Sequence, residues 1–155
     1  FINGLPVPCE KARIYPFTQI FTHFPEEENF VGEGRLQNEI KRLANILENS
    51  NENTITLLNE TFSGTNEKKA ENLAVDTAKD IIKKNSFGVF VTHQRGVYKR
   101  AEPLKNISFL ETAPAGLGRY KIRKLTGMPS SGMYTILDKY GLTKKQLEEK
   151  ECTAR

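Results

Sequence analysis

The chain has 155 residues, 37% of them hydrophobic and 27% charged, which is enough for one domain with a buried core. No apolar run approaches the roughly 18 residues that span a bilayer, so no membrane partner is expected. Two cysteines, Cys9 and Cys152, are too few for a disulfide framework and indicate a reducing, cytoplasmic location. The net charge of +4 comes with lysines alternating with glutamates, which is typical of solvated helix faces rather than of a nucleic-acid surface.

The first part of the chain predicts a strand, a loop and a helix. Residues 1–11 are expected to be irregular, and residues 12–24 are rich in β-branched and aromatic side chains, which predicts a strand interrupted near Pro16. An acidic, glycine-containing loop over residues 25–34 follows. The next segment ends at residues 49–51 and is predicted to be a helix, because four apolar residues recur on one face: Leu36, Ile40, Leu43 and Leu47.

The middle of the chain predicts a strand–helix–strand unit. Residues 54–60, "TITLLNE", and residues 87–93, "FGVFVTH", have the apolar character of strands buried on both faces. Asn66 is predicted to be the N-cap of a helix over residues 67–85 between them. A right-handed crossover in such a unit implies a parallel sheet.

The last third of the chain has a different character. Residues 105–114 and 118–127 predict an antiparallel hairpin around a proline- and glycine-containing turn, and residues 130–141 and 143–151 predict two short helices. The fold class is therefore α/β, with a mostly parallel sheet, flanking helices, a hairpin and a small helical tail. We expect one domain over residues 1–155, with an α/β core over 1–125 and the tail over 126–155.

A glutamate ends the first buried strand and a histidine ends the second. Because ligands gather at the carboxyl ends of parallel strands, Glu60 and His93 are expected to face one site. A carboxylate there can polarise a water for attack on a phosphate or ester, and an imidazole can donate to the developing negative charge. The pair therefore suits phosphoanhydride hydrolysis. The alternative is that Glu60 caps the following turn and His93 makes a structural hydrogen bond.

One expected part of a nucleotide site is missing from the sequence. No G-x-x-x-x-G-K-[ST] phosphate loop occurs in the chain, so a nucleotide would lack its main anchor. Small polar residues after Glu60 are equally consistent with ordinary turn chemistry. The chain begins at Phe1 rather than at Met, and further sequence upstream is expected.

Five segments in order resemble the C-terminal ATPase domain of the MutS family of DNA mismatch-repair proteins, from about Leu5 to Lys150. They are "FTQIFTHFPEEENFVGEGRLQNEIKRLANIL", "TITLLNETFSGTN", the helix after it, "FVTHQ", and "RYKIRKLTGMPSSGMYTILDKYGLTKKQLEEK". In that family the corresponding parts are a strand, acidic loop and signature helix, a Walker B strand with a turn ending Gly-Thr, a long helix, a strand ending Thr-His, and a closing strand with a helical tail.

The resemblance implies a partial ABC-type P-loop NTPase fold whose phosphate loop lies shortly before Phe1. Glu60 then matches the catalytic carboxylate that orients the attacking water, and His93 matches the histidine that senses the γ-phosphate. The helix starting near Gly34 would present the signature segment to the partner subunit's nucleotide. The loop that would cross the dimer interface consists of Ser63, Gly64, Thr65 and Asn66.

Two residues depart from the family pattern. Asn59 stands where the Walker B aspartate is usual, so it would hold a magnesium-bound water only weakly, through its amide oxygen. Gly34 stands where a serine usually contacts the partner's γ-phosphate. The backbone N–H groups at that helix start can still bind phosphate, although Glu33 beside them opposes it. Both changes indicate slow or altered hydrolysis, or a divergent branch of the family.

The function expected from the resemblance is a fragment of a MutS-like ATPase whose ATP binding and hydrolysis couple to DNA binding. ATP and Mg²⁺ would bind only to the intact protein, DNA would contact its other domains, and the ATPase domain would form a homodimer. The alternative is a non-catalytic dimerisation or interaction module that kept the fold and lost the chemistry. Another branch of the ABC-type ATPases fits the C-terminal hairpin and helices less well.

Overall fold

A computed structural model describes residues 6, 9–25, 34–62, 64–112, 121–128 and 137–146. The chain divides into two compact units, Phe1–Ile107 and Ser108–Arg155. This division falls earlier in the chain than the boundary expected after residue 125, and the single-domain organisation stays a prediction. No helix in the described ranges is long and apolar enough to cross a membrane.

The first unit is a three-stranded parallel sheet with helices between its strands. Its strands lie in the order β1-β2-β3, with Ile20 paired to Ile55 and Ile55 paired to Phe87. The α/β class and the mostly parallel sheet are therefore confirmed. The elements in chain order are β1 (Gln19–His23), α1 (Arg35–Asn49), β2 (Thr54–Asn59), α2 (Glu67–Lys83), β3 (Phe87–Val91) and α3 (Arg95–Ala101).

The core lies on one face of this sheet. Along β2, Thr54, Thr56 and Leu58 are buried, while the alternate residues are only half-buried. Helices α1 and α2 both contribute to the cluster that packs around Leu58. Its buried members are Leu43, Leu58, Phe62, Ala70, Ala74 and Ile81.

The prediction that both strands are buried on two faces is wrong for β3. Phe87, Val89 and Val91 are 48%, 50% and 49% exposed. The reason is that the two crossover helices pack on the same face, so the opposite side chains of this edge strand remain accessible.

Two details of the first predicted strand and helix also need correction. The strand begins at Gln19 rather than at residue 12, because the chain turns around Pro16, where the Phe17 N–H donates to the Tyr15 carbonyl at 2.8 Å. In α1 the buried stripe includes Glu39 and Ile46, whereas Ile40 is 42% exposed. The apolar spacing predicted the position of the helix correctly, but it predicted a buried face that is rotated from the observed one.

Helix α2 begins as its sequence predicts. The Asn66 side chain accepts a hydrogen bond from the Lys69 N–H at 3.3 Å, which confirms the N-cap. The helix ends at Lys83, two residues before the predicted end. Helix α3, directly after β3, was not predicted, because its seven residues are too few for a clear helical repeat.

The second unit contains the predicted hairpin. Strands β4 (Leu110–Thr112) and β5 (Ile122–Lys124) pair antiparallel, and Arg123 Nη2 lies 2.8 Å from Glu111 Oε1. The predicted turn between them lies outside the described residues. Short helical segments at residues 137–139 and 144–146 fall within the two helices predicted for the tail, whose other residues are largely not described.

Candidate functional site

The three parallel strands end side by side and bring polar residues to one edge of the sheet. His23 is the last residue of β1, Asn59 is the last residue of β2 and pairs with Val91, and Glu60 follows directly. The Glu60 N–H donates to the Val91 carbonyl at 2.9 Å, which extends the ladder by one bond beyond β2. This backbone contact brings the start of the β2–α2 connection next to the segment that follows β3.

Glu60 and His93 meet at this edge, where the strand-end argument placed them. His93 Nε2 lies 3.6 Å from Glu60 Oε1, slightly beyond hydrogen-bonding distance. The two side chains differ in accessibility: Glu60 is 26% exposed and His93 is 93% exposed. The buried Oε1 atom of Glu60 has no hydrogen-bond partner among the described residues. The site therefore has a shielded acceptor, Glu60 Oε1, beside an accessible imidazole. One water molecule can bridge the two groups.

The turn that carries Glu60 has an unusual backbone. Glu60 has φ of 47° and Phe62 has φ of 68°, both in the left-handed region that non-glycine residues seldom occupy. Such conformations persist where the surroundings hold them, and they concentrate at functional sites. Phe62 is 1% exposed and belongs to the core cluster, so its buried ring anchors the turn to the core.

The other residues expected to bind nucleotide differ in their surroundings. Asn59 is half-buried at the end of β2, and Gly64 is exposed. The Thr65 N–H donates to the Phe62 carbonyl at 3.4 Å, so it belongs to the turn. Asn66 caps α2 and therefore has a structural role of its own. Ser63 lies outside the described residues.

Helix α1 begins beside the same connection. Its N-cap Gly34 is extended, no side chain of the described residues caps the helix, and the first turn holds no acidic residue. A Cβ built at Gly64 would lie 3.3 Å from Cδ of Arg35, so the start of α1 packs against the loop after β2. The structure thus brings the segments of Gly34 and Gly64 together.

Three buried polar residues near the turn were missed in the sequence: His23, Glu39 and Thr61. They are 1%, 7% and 2% exposed. One signal was present, since Thr-His follows an apolar strand at residues 22–23 as it does at residues 92–93. Thr61 had no such signal, because its partner His23 lies 38 positions away in the sequence. Glu39 had only its i,i+4 spacing from Arg35, which does not indicate burial.

A second buried carboxylate joins α2 to α3. Arg100 Nε donates to Glu71 Oε2 at 3.2 Å, and Arg100 Nη1 donates to Asn72 Oδ1 at 2.9 Å. The Glu71 carboxylate lies directly against Gly96, where a Cβ would overlap it. Glu71 is therefore held by its ion pair with Arg100, and it fits against α3 because Gly96 has no side chain. This arrangement indicates a role in packing.

The described residues offer few metal ligands. No group of three or more His, Cys, Asp or Glu side chains stands close enough to hold a metal ion in the ranges that the structure covers.

The fold and this edge define an α/β protein with a candidate hydrolytic pair at the carboxyl ends of a parallel sheet. A family model for MutS domain V matches residues 2–133, and the chain belongs to that family. It is 26% identical over 152 residues to the protein named endonuclease MutS2 from Thermotoga petrophila and to that from Thermotoga maritima. The match covers 95% of this chain, which spans about 20% of the length of those relatives.

Proposed function

We propose that the chain is part of the ATPase domain of a MutS-like DNA-repair protein, in which ATP binding and hydrolysis couple to DNA binding. Membership of the MutS domain V family supports the assignment to a MutS-like DNA-repair protein. The observation that carries the chemistry is the 3.6 Å approach of Glu60 to His93 at the carboxyl edge of the sheet. This is where ligands of parallel α/β sheets bind.

Glu60 is proposed to orient the attacking water. Its buried Oε1 is an acceptor without a protein partner in the described part of the chain, so it can accept a hydrogen bond from a water held at the site. Its partial burial limits competition from bulk solvent, which strengthens that interaction. The exposed His93 Nε2 can donate to the negative charge that develops on the transferred phosphoryl group.

Asn59 is proposed to hold a water of the Mg²⁺ shell through its amide oxygen. The half-buried position at the end of β2, one residue before Glu60, fits such an outer-shell role. A neutral amide binds Mg²⁺ less well than a carboxylate, and no three-ligand acidic group supports it in the described ranges. Bound Mg²⁺ would neutralise phosphate charge, while the protein groups position the water.

The remaining anchor for the phosphates is proposed to be a phosphate loop with its lysine, supplied by sequence upstream of Phe1. The chain has no such motif and covers about 20% of the length of its relatives. We therefore expect the 155-residue chain alone neither to bind nor to hydrolyse ATP appreciably.

Composite sites in a homodimer would use the start of α1 and the loop after β2. Apart from its chain neighbours and its own helix backbone, Gly34 has no heavy atom of the described residues within 4 Å of a Cβ placed there, and Gly64 is exposed. Backbone N–H groups at the start of a 15-residue helix favour an anion. DNA is proposed to contact other domains of the intact protein.

Calorimetric titration with Mg-ATP tests this function. The 155-residue chain is expected to give no binding heat, whereas a polypeptide extended upstream through a G-x-x-x-x-G-K-[ST] motif is expected to bind. The matched control is the extended polypeptide with that lysine replaced by alanine. Micromolar binding by the short chain, or no binding by the extended one, would overturn the proposal.

A second candidate is a non-catalytic dimerisation or interaction module with the same fold. Asn59 and Gly34 favour it, because they replace the groups that would contribute a charge and a hydroxyl to the site. On this view the extended polypeptide dimerises without ATP, and substitutions at Glu60 change no nucleotide-dependent property. Sedimentation with and without Mg-ATP distinguishes the two candidates.

A further inference from the structure

The buried imidazole of His23 is a feature that the proposed hydrolysis does not use. His23 ends β1 and is 1% exposed. Its Nε2 lies 3.2 Å from the Glu39 carbonyl oxygen in α1, and its Nδ1 lies 3.3 Å from Thr61 Oγ1 in the turn after β2. The ring therefore joins three segments of the chain at the edge where Glu60 lies.

The contact with the Glu39 carbonyl shows which ring nitrogen carries a hydrogen. A carbonyl oxygen can only accept a hydrogen bond, so Nε2 carries the hydrogen that is donated to Glu39. In the neutral ring Nδ1 then has a lone pair, which accepts from the Thr61 hydroxyl. Both ring nitrogens are satisfied, as buried polar groups require.

Thr61 is the residue whose position matters for the carboxylate. It lies between Glu60 and Phe62, which both have positive φ, and it is 2% exposed. The hydrogen bond from the Glu60 N–H to the Val91 carbonyl holds the turn to β3, and the buried Phe62 ring holds it to the core. The hydroxyl bond to His23 adds an anchor on the β1 side.

Helix α1 contacts the same connection at a second point. Arg35 Nε donates to Glu39 Oε1 at 3.3 Å, and the aliphatic part of Arg35 packs against Gly64. Glu39 thus takes part in both links, through its backbone carbonyl to His23 and through its carboxylate to Arg35. A displacement of α1 would therefore be transmitted to both ends of the loop after Glu60.

We propose that His23 is a positioning residue for Glu60: in its Nε2–H tautomer it bridges α1 to Thr61 and fixes the direction in which the carboxylate points. The catalytic consequence rests on the proposed ATPase function, whereas the bridge is a property of this chain alone. Loss of the bridge is expected to leave the fold intact and to misplace Glu60, which would affect turnover more than substrate binding.

The bridge is tested by long-range ¹H–¹⁵N NMR of the 155-residue chain, which has only two histidines, His23 and His93. The expected spectrum shows His23 as the Nε2–H tautomer. Thr61→Val removes the hydroxyl at nearly constant volume, and it should shift the His23 Nδ1 and Glu60 resonances. Thr61→Ser, which keeps the hydroxyl, is the matched control and should restore both. A His23 ring in the Nδ1–H tautomer, or Glu60 resonances unchanged in a folded Thr61→Val protein, would overturn the proposal.

The catalytic consequence is tested in the upstream-extended polypeptide. Thr61→Val should lower kcat by about 10- to 100-fold with KM little changed, and Thr61→Ser should recover most of it. An unchanged kcat in Thr61→Val would overturn the positioning role. If the unsubstituted polypeptide does not hydrolyse ATP, the ATPase function fails, and the NMR result on Glu60 still decides whether His23 positions it.

Discussion

Glu60 Oε1 and His93 Nε2 lie 3.6 Å apart, yet Glu60 is largely shielded and His93 is almost fully exposed. The imidazole therefore makes few packing contacts, and its replacement should leave the fold unchanged. Glu60, by contrast, belongs to a turn with positive φ that the core supports. This difference allows the chemistry of the pair to be separated from its contribution to stability.

His93→Ala should lower the turnover of ATP in the extended polypeptide by about 10²-fold or more, because a donor to the developing phosphate charge is lost. The free energy of unfolding should change by less than about 0.5 kcal/mol, as for other exposed side chains. Both quantities are measured by steady-state hydrolysis and urea unfolding. Lys68→Ala, at an exposed position of α2, is the control, and equal turnover in the two variants would refute the role of His93.

Asn59→Asp should strengthen Mg²⁺ binding, because a carboxylate replaces a neutral amide at the end of β2. The Mg²⁺ concentration that gives half-maximal hydrolysis in the extended polypeptide is expected to fall by about tenfold, the lower end of effects seen for outer-shell groups. A Mg²⁺ dependence identical to that of the unsubstituted protein would contradict the proposed role of Asn59.

Asn66→Ala should destabilise the 155-residue chain by about 1 kcal/mol, because the cap on the Lys69 N–H is lost. Asn66→Ser keeps a capping oxygen and should retain most of the stability. Urea unfolding followed by circular dichroism measures both variants. If Asn66→Ala unfolds at the same urea concentration as the unsubstituted chain, the cap contributes nothing and Asn66 is free for another role.

Gly96→Ala should destabilise the chain by about 1–3 kcal/mol, because the new Cβ displaces the Glu71 carboxylate from Arg100. In a Glu71→Ala background the same substitution should cost much less, since the obstructing group is gone. A double-mutant cycle of unfolding free energies measures this coupling. Additive effects of the two substitutions would show that the contact does not limit packing.

Much of the fold could be predicted from local patterns. The apolar strand before Glu60, the Asn66 cap and the antiparallel hairpin each have a short-range cause, and each is confirmed. The exposure of β3 and the rotation of α1 that buries Glu39 were not predictable, because they depend on which face the helices cover. Apolar composition alone does not distinguish a strand covered on one face from one covered on both.

The candidate site could be predicted only in part. The proximity of Glu60 and His93 was predicted, because both residues follow parallel strands whose carboxyl ends lie at the same edge of the sheet. The bridge from His23 to Thr61 joins residues 38 positions apart, and no local spacing encodes it. The roles of Gly34, Asn59 and Thr65 in nucleotide binding stay predictions, and the prediction for Ser63 lies outside the described residues.

The role of Glu60 is decided by the ATP turnover and the Mg-ATP affinity of Glu60→Gln in the upstream-extended polypeptide. Turnover should fall by about 10²- to 10⁴-fold while Mg-ATP still binds, because the amide cannot act as the base that orients the water. Glu67→Gln, an exposed glutamate in the first turn of α2, should hydrolyse ATP at the normal rate. A Glu60→Gln polypeptide that turns over as fast as the Glu67→Gln control would contradict the account.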